Sequence, residues 1–288
     1  MTDVLNRARE FMLCNARLLE RRQFEAIFDR GSVEGVVTAL AAFQNADGGF
    51  GCGLEPDKRD PASQPVDLQI ALEALESVGA SPMAMVLRAC DWMSNALESE
   101  GGLPYALPSL NAYPHAPWWA VATGPLVSNL NPTAAVVGQL LRMGVDHPVV
   151  GRGSTFCWAA IGAATSADFH EVKPILTFLE HAQDRLKSRD EIARVIQRVG
   201  QPGVVALDPE AVGYVQMPLD FAPSPSSACH VLFSSAVLDQ HLDALAARQQ
   251  EDGGWPLNWE TVGAGAALEA RGMRTLKALR TLSAYGRL

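Results

Sequence analysis

Arg248-Gln249-Gln250-Glu251-Asp252-Gly253-Gly254-Trp255 repeats in outline what Phe43-Gln44-Asn45-Ala46-Asp47-Gly48-Gly49-Phe50 spells 205 residues earlier. Each stretch closes an apolar helical pattern, and each reads as Gln, three residues, Gly, one residue, aromatic. A weaker copy without the Gln, Glu98-Ser99-Glu100-Gly101-Gly102-Leu103, lies between them. From Gly48 to Gly101 is 53 residues and from Gly101 to Gly253 is 152, close to three further steps of 51. Gly151-Arg152-Gly153 and Pro202-Gly203 stand where the missing steps fall, so five Gly-marked turns are expected, and 288 residues hold between five and six units. A helix, a turn and a second helix fill such a unit, and a helix pair that cannot bury its apolar face alone must stack on its neighbours. The Gly pair supplies the positive φ that stops a helix, the Gln bonds exposed backbone at the helix end, and the aromatic ring covers the turn.

Gln249 to Trp255 resembles the Gln-x-x-x-Gly-x-Trp repeat of the squalene–hopene cyclase and protein prenyltransferase superfamily, and Gln44 to Phe50 matches it with Phe for Trp. The resemblance implies an all-α fold, an α/α toroid of five to six helix pairs spanning residues 1–288 as one domain, with inner helices around a central cavity. It does not extend to the superfamily's chemistry. There is no Asp-x-Asp-Asp proton-donor run, no Asp-x-Cys zinc pair and no DDxxD-type magnesium motif. No Cys/His cluster has metal spacing, so no metal or cofactor is expected.

Composition sets further bounds. With 23 basic and 32 acidic residues the net charge is −9, which argues against a nucleic-acid or anionic-membrane partner. At 48% hydrophobic the chain can bury a large core. Five cysteines, none spaced Cys-x-x-Cys, read as reduced thiols in a cytoplasm. Met1-Thr2-Asp3-Val4 opens an amphipathic pattern rather than a signal peptide, and no apolar run approaches the roughly 18 residues of a spanning helix.

Periodicity predicts helices at 4–29, 32–44, 64–78 and 83–98, a start at Asn131-Pro132 with Asn131 as N-cap, and helices at 155–164, 188–199, 263–270 and 273–284. Another ends near His181, with Asp168 and Glu171 as a capping box. The 64–78 helix is apolar over most of its circumference, so its polar stripe Gln69, Glu73 and Glu76 is expected on a cavity.

If the Gly turns share one rim, the segments after them (51–63, 103–130, 204–226 and 255–262) form one mouth, and they are rich in carboxylates and aromatics. Glu55, Asp57 and Asp60 are the candidate catalytic acids or bases, Asp57 and Asp60 leading. Trp118, Trp119, His115, Asp220, Trp259, Glu260 and Glu73 are the candidate substrate-binding residues. The competing expectations are that the carboxylates pair with Lys58 and Arg59 or cap the next helix, and that the Trp and His residues pack. Three functions follow: a toroid enzyme acting on an isoprenoid or another apolar small molecule, with aromatic faces stabilising positive charge; a non-catalytic binding or scaffold protein; or a glycosidase-like or lyase-like toroid.

Overall fold

The computed structural model describes residues 3–288; Met1 and Thr2, within the expected 1–288 domain and the N-terminal reading, lie outside the described residues. The described residues form twelve α-helices and no strand. They are α1 (Asp3–Asn15), α2 (Leu18–Phe28), α3 (Val33–Ala41), α4 (Pro65–Ser77), α5 (Met83–Ala96), α6 (Leu130–Arg142), α7 (Pro148–Ala163), α8 (Phe169–His181), α9 (Arg185–Val199), the single turn α10 (Pro218–Phe221), α11 (Ser235–Ala247) and α12 (Ala264–Ala284). None of the described helices is long and apolar enough to cross a membrane. All five cysteines are free thiols, Cys14 and Cys52 exposed and the others buried.

Three turns are built alike. Gly48, Gly101 and Gly253 hold φ of 92, 90 and 88°, a region in which a side chain is strained. A Cβ on any of them would run into a backbone carbonyl of another helix: that of Arg88 in α5, Arg152 in α7 and Arg7 in α1, respectively. The following glycine lies against the aromatic ring four residues beyond that arginine, Trp92, Phe156 and Phe11 in turn. Gln44 donates to its own Gly48 carbonyl and to Met85 O at 2.8 and 2.9 Å, and Gln249 to Gly253 O and Val4 O, both at 2.9 Å. Since Val4 precedes Arg7 by three residues, as Met85 precedes Arg88, the last turn docks on the first helix just as the first turn docks on α5. Only the leading glycine of each pair carries the positive φ; the second is there for closeness to the ring.

The period fails at one of its five steps. Gly151 and Gly153 lie inside α7, and the turn there is the glycine-free segment 164–168. Residues 103–130 delay α6, so counting forward from Gly101 lands in the next helix rather than between helices. Gly203 does turn the chain, with φ of 83°.

Four further expectations are corrected. The 4–29 segment is two helices because Arg17 is extended at the start of α2, where it pairs with Glu20 and donates to Gly53 O and Leu54 O, both at 3.0 Å. The cap of α6 is Asn129, whose side chain accepts from Asn131 N at 3.0 Å, while Asn131 itself is non-helical. Residues 264–284 are one continuous helix. Asp168 caps α8 by accepting from His170 N, but its own amide is bonded by Ser166 rather than by Glu171, and Pro174 is accommodated inside the helix.

Neighbouring even-numbered helices touch in succession: α2 with α4, α4 with α6, α6 with α8, α8 with α10, and α12 with α2. α10 and its following residue meet α12 and its C-cap through Lys277 to Asp220 (3.3 Å) and Tyr285 to Ala222 O (2.9 Å). Each odd-numbered helix packs on an even-numbered neighbour; α1, for example, buries Leu5, Ala8, Phe11 and Met12 in a cluster with Leu242, Trp255, Leu276 and Leu279.

Candidate functional site

The loop between α3 and α4 is fixed by buried polar contacts. Lys58 and Asp67, both fully buried, form an ion pair, and Asp67 also accepts from Glu55 N at 2.7 Å. Burial pushes Asp67 up to about 6 against the pull of Lys58. Arg59 reaches across to α12 and pairs in bidentate fashion with Glu269, at 2.6 and 3.1 Å. The expected pairing of Lys58 and Arg59 with the loop's own carboxylates is therefore replaced by pairing with helices α4 and α12. Asp60 accepts from Ala62 N, Gln64 Nε2 and Ser109 Oγ at 2.7–2.9 Å, so both of its oxygens are committed to holding the loop.

Asp57 is 4% exposed. Its Oδ2 accepts from Trp259 Nε1 at 2.7 Å, its Oδ1 has no partner, and burial raises its pKa against the pull of that indole and of Arg59. Glu55 accepts from Asp57 N at 3.1 Å. Burial lifts Glu55 to about 7, helped by the charges of Asp57 and Asp67 and opposed by the Asp57 amide and Lys58.

Glu55, Pro56 and Trp259 stand on a cavity of about 860 Å³ whose remaining lining comes from α2, α4, α6, α8, α10, α12 and the segment 223–228. Leu19, Ile27, Phe28, Ile70, Phe169, Val172, Leu176, Phe221, Met273 and Leu276 supply an apolar surface. Six carboxylates (Glu20, Glu55, Glu73, Glu76, Glu180, Asp220) and four cations (Lys173, Arg274, Lys277, Arg280) stand among them. The wall thus carries more charge than an apolar cavity with a few convergent polar groups.

Several charges are paired: Glu20 with Arg17, Glu73 with Lys173 at 2.7 Å, Glu76 with Arg142 at 3.3 Å, and Asp220 with Lys277. Burial alone would raise Glu73, but Lys173, Gln69 and Arg280 hold it below its ordinary value. Burial raises Glu180, with Glu76 adding to the effect.

Of the candidate residues, Glu55, Glu73, Asp220 and Trp259 meet on the cavity, and Asp57 sits one hydrogen bond behind them. Trp119 is buried, stacked on Tyr105 with ring centroids 4.7 Å apart, in a satellite cluster with Val66, Leu110 and Ala116. His115 pairs along the backbone with Lys58, and its Nδ1 lies 3.0 Å from Ala116 O. Trp118, 48% exposed, and the exposed Glu260 are not on the cavity wall. Sequence reasoning missed the four cations; for the three on α12 the signal was present, since Met273, Arg274, Lys277, Arg280 and Thr281 form one helical stripe, while Lys173 stands on α8.

A crystal structure of a protein from Actinoplanes is similar to this chain with a TM-score of 0.60 and 14% identity, covering 97% of this chain and 98% of that one. At that identity the likeness concerns the fold alone. No family model and no curated protein matches the chain.

Proposed function

We propose that this chain is an α/α toroid of six helix pairs that binds a small molecule with an extended apolar body, such as an isoprenoid, in its central cavity, and that Glu55 exchanges a proton with the occupant. The observation that carries the reading is the cavity of about 860 Å³ lined by successive even-numbered helices, with Glu55 poised near neutral pH on its wall. Ring closure is supported by the recurrence at Gly253 and Arg7 of the contact made at Gly48 and Arg88. The volume suits a drug-sized ligand, and a carboxyl with a pKa near 7 gives or takes a proton readily. Trp259, on the wall and bonded to Asp57, offers a ring face to a developing positive charge.

The test is calorimetric titration with isoprenoid and straight-chain alcohols, farnesol first, together with a product screen. Met273→Trp, which puts bulk on an open part of the wall, should abolish binding with the melt retained. Glu55→Gln should retain binding and lose any turnover. Binding to the Met273→Trp variant as strong as to the parent would remove the cavity from consideration, and full turnover by Glu55→Gln would remove Glu55.

A further inference from the structure

The cavity wall is electrically lopsided in a way its internal pairs do not cancel. Arg274, Lys277 and Arg280 project at successive turns of α12 (i, i+3, i+6), and Lys173 faces them from α8. Lys277 is engaged by Asp220 and lies over the Phe169 ring at 5.0 Å; Lys173 is engaged by Glu73. Arg274 and Arg280 have neither a hydrogen bond nor an ion pair with any described residue. The crowding registers on Lys277, whose pKa is lowered first by burial and then by Arg274 and Lys173, against the pull of Asp220. On the carboxylate side, Glu20, Glu73, Glu76 and Asp220 are matched by basic partners, which leaves Glu55 and Glu180. Glu180 belongs to the last turn of α8, and the charge that most raises it is Glu76 near the end of α4. After that pairing the wall keeps two guanidiniums without an ion-pair partner, Arg274 and Arg280, the second standing near Glu73, and one carboxyl, Glu55, that is largely protonated below neutral pH.

We propose that Arg274, backed by Lys277 and Arg280, takes the negatively charged end of the occupant, and that this end is a single carboxylate, the ligand being an amphiphilic acid with its apolar body against α2, α4 and α8. The inference rests on the cavity being the binding site. A guanidinium presents a planar fork of donors that matches a carboxylate in bidentate fashion, which a hydroxyl cannot reproduce. One negative charge balances Arg274. A phosphate dianion would add a second negative charge with only Arg280, already drawn on by Glu73, left to face it, and removing an unbalanced ion from water is costly.

Three probes with one chain separate the possibilities: farnesol, farnesoic acid and farnesyl phosphate, titrated into the full chain at neutral pH and moderate salt. The acid should bind on the order of tenfold more tightly than the alcohol, as expected for one charge-assisted bidentate contact, with the phosphate weaker than the acid. Arg274→Gln should erase the advantage of the acid over the alcohol, read as the ratio of their two affinities. Arg274→Lys, which keeps the stem and the charge, should retain part of it and serves if the Gln variant fails to fold. Equal affinity for acid and alcohol, tightest binding of the phosphate, or an acid advantage that survives Arg274→Gln would each overturn the inference while leaving the cavity reading standing. Failure of all three probes to bind would overturn both, and alcohol binding that survives Met273→Trp would count against the cavity reading.

Discussion

The turn at Gly253 and the turn at Gly101 do the same work with different residues. Both hold a leading glycine near φ 90° against an arginine carbonyl of another helix, and both seat the second glycine on an aromatic ring. At Gly253, Gln249 bridges the turn to α1 and Asp252 accepts from Gly254 N at 3.1 Å. At Gly101 the corresponding positions are Leu97 and Glu100, and the turn is held by the backbone bonds Glu98 N to Gly102 O and Gly101 N to Glu98 O, both at 2.9 Å, with Ser128 Oγ donating to Gly102 O at 3.4 Å. The glycines are thus the part of the motif the packing cannot spare, and the Gln and Asp are reinforcements that one copy lacks.

The largest effects should follow from the glycines. Valine at a left-handed position is strained by roughly 1–3 kcal/mol, and here the new Cβ would also overlap a carbonyl oxygen. Gly253→Val should destabilise by about 3–5 kcal/mol, Gly48→Val slightly less, and Gly101→Val least, because its Cβ would stand 2.9 Å from Arg152 O while the others come closer. Equal loss at all three in denaturant melts would mean that closeness to the facing carbonyl does not set the cost. Gly254→Val tests the second position, where the side chain would meet the Phe11 ring at 2.7 Å rather than a forbidden φ.

A comparable loss is expected from Lys58→Met. Removing one member of a fully buried pair leaves Asp67 without its cation, so that it must stay charged in an apolar site or take up a proton, at about 3–5 kcal/mol, whereas Arg59→Gln, which breaks the partly exposed pair with Glu269, should cost under about 1 kcal/mol. Melts of the two variants falling together would mean that burial does not separate these neighbouring cations.

The contrast between these regions also marks how far sequence carries. The turns at 48 and 253 were legible because each is completed by residues within eight positions, Gln to aromatic, so the local pattern contains most of its own explanation. The break between α1 and α2 was not, since it depends on Arg17 finding Gly53 O and Leu54 O, 36 and 37 residues away. The same holds for Lys58, whose neighbours in sequence are carboxylates but whose partner is on the next helix. Gly151 and Gly153 misled because a count of residues cannot see that a long connection postpones a helix. In the candidate site, Glu55, Glu73, Asp220 and Trp259 were foreseeable from their place after the turns or on a buried helix. The basic stripe of α12 was masked by Leu276, Leu279 and Leu282, which account for the periodicity on their own.

Glu55 gives the next effect in size. Its folded pKa of about 7 lies above the ordinary value of 4.5 for a free glutamate, so the folded chain keeps the proton over a range in which the unfolded chain has released it. The contribution is favourable below about pH 4.5 and is lost as the pH rises through about 7. Relative to Glu55→Gln, the parent should therefore lose about 1–3 kcal/mol across that window. Parallel stability curves for parent and variant between pH 4.5 and 7 would place the Glu55 carboxyl in water.

The smallest expected change returns to the third turn. Leu97 stands where Gln44 and Gln249 do, and Glu100 where Asp47 and Asp252 do. By the register of the other copies, a Gln at 97 has its own Gly101 carbonyl as one acceptor and Val149 O, three residues before Arg152, as the other, while a shorter acid at 100 can accept from Gly102 N as Asp47 accepts from Gly49 N at 3.0 Å. Each such bond is worth about 1 kcal/mol net, but Leu97 is half-buried and its removal gives back part of the gain. The double variant Leu97→Gln with Glu100→Asp should therefore be more stable than the parent by no more than about 1 kcal/mol, with most of the gain from the Glu100→Asp change, since it costs no apolar burial. A loss of more than that amount in a urea melt would mean that α7 does not present Val149 O to this turn as α5 presents Met85 O and α1 presents Val4 O to theirs, and the likeness of the three turns would then stop at their glycines.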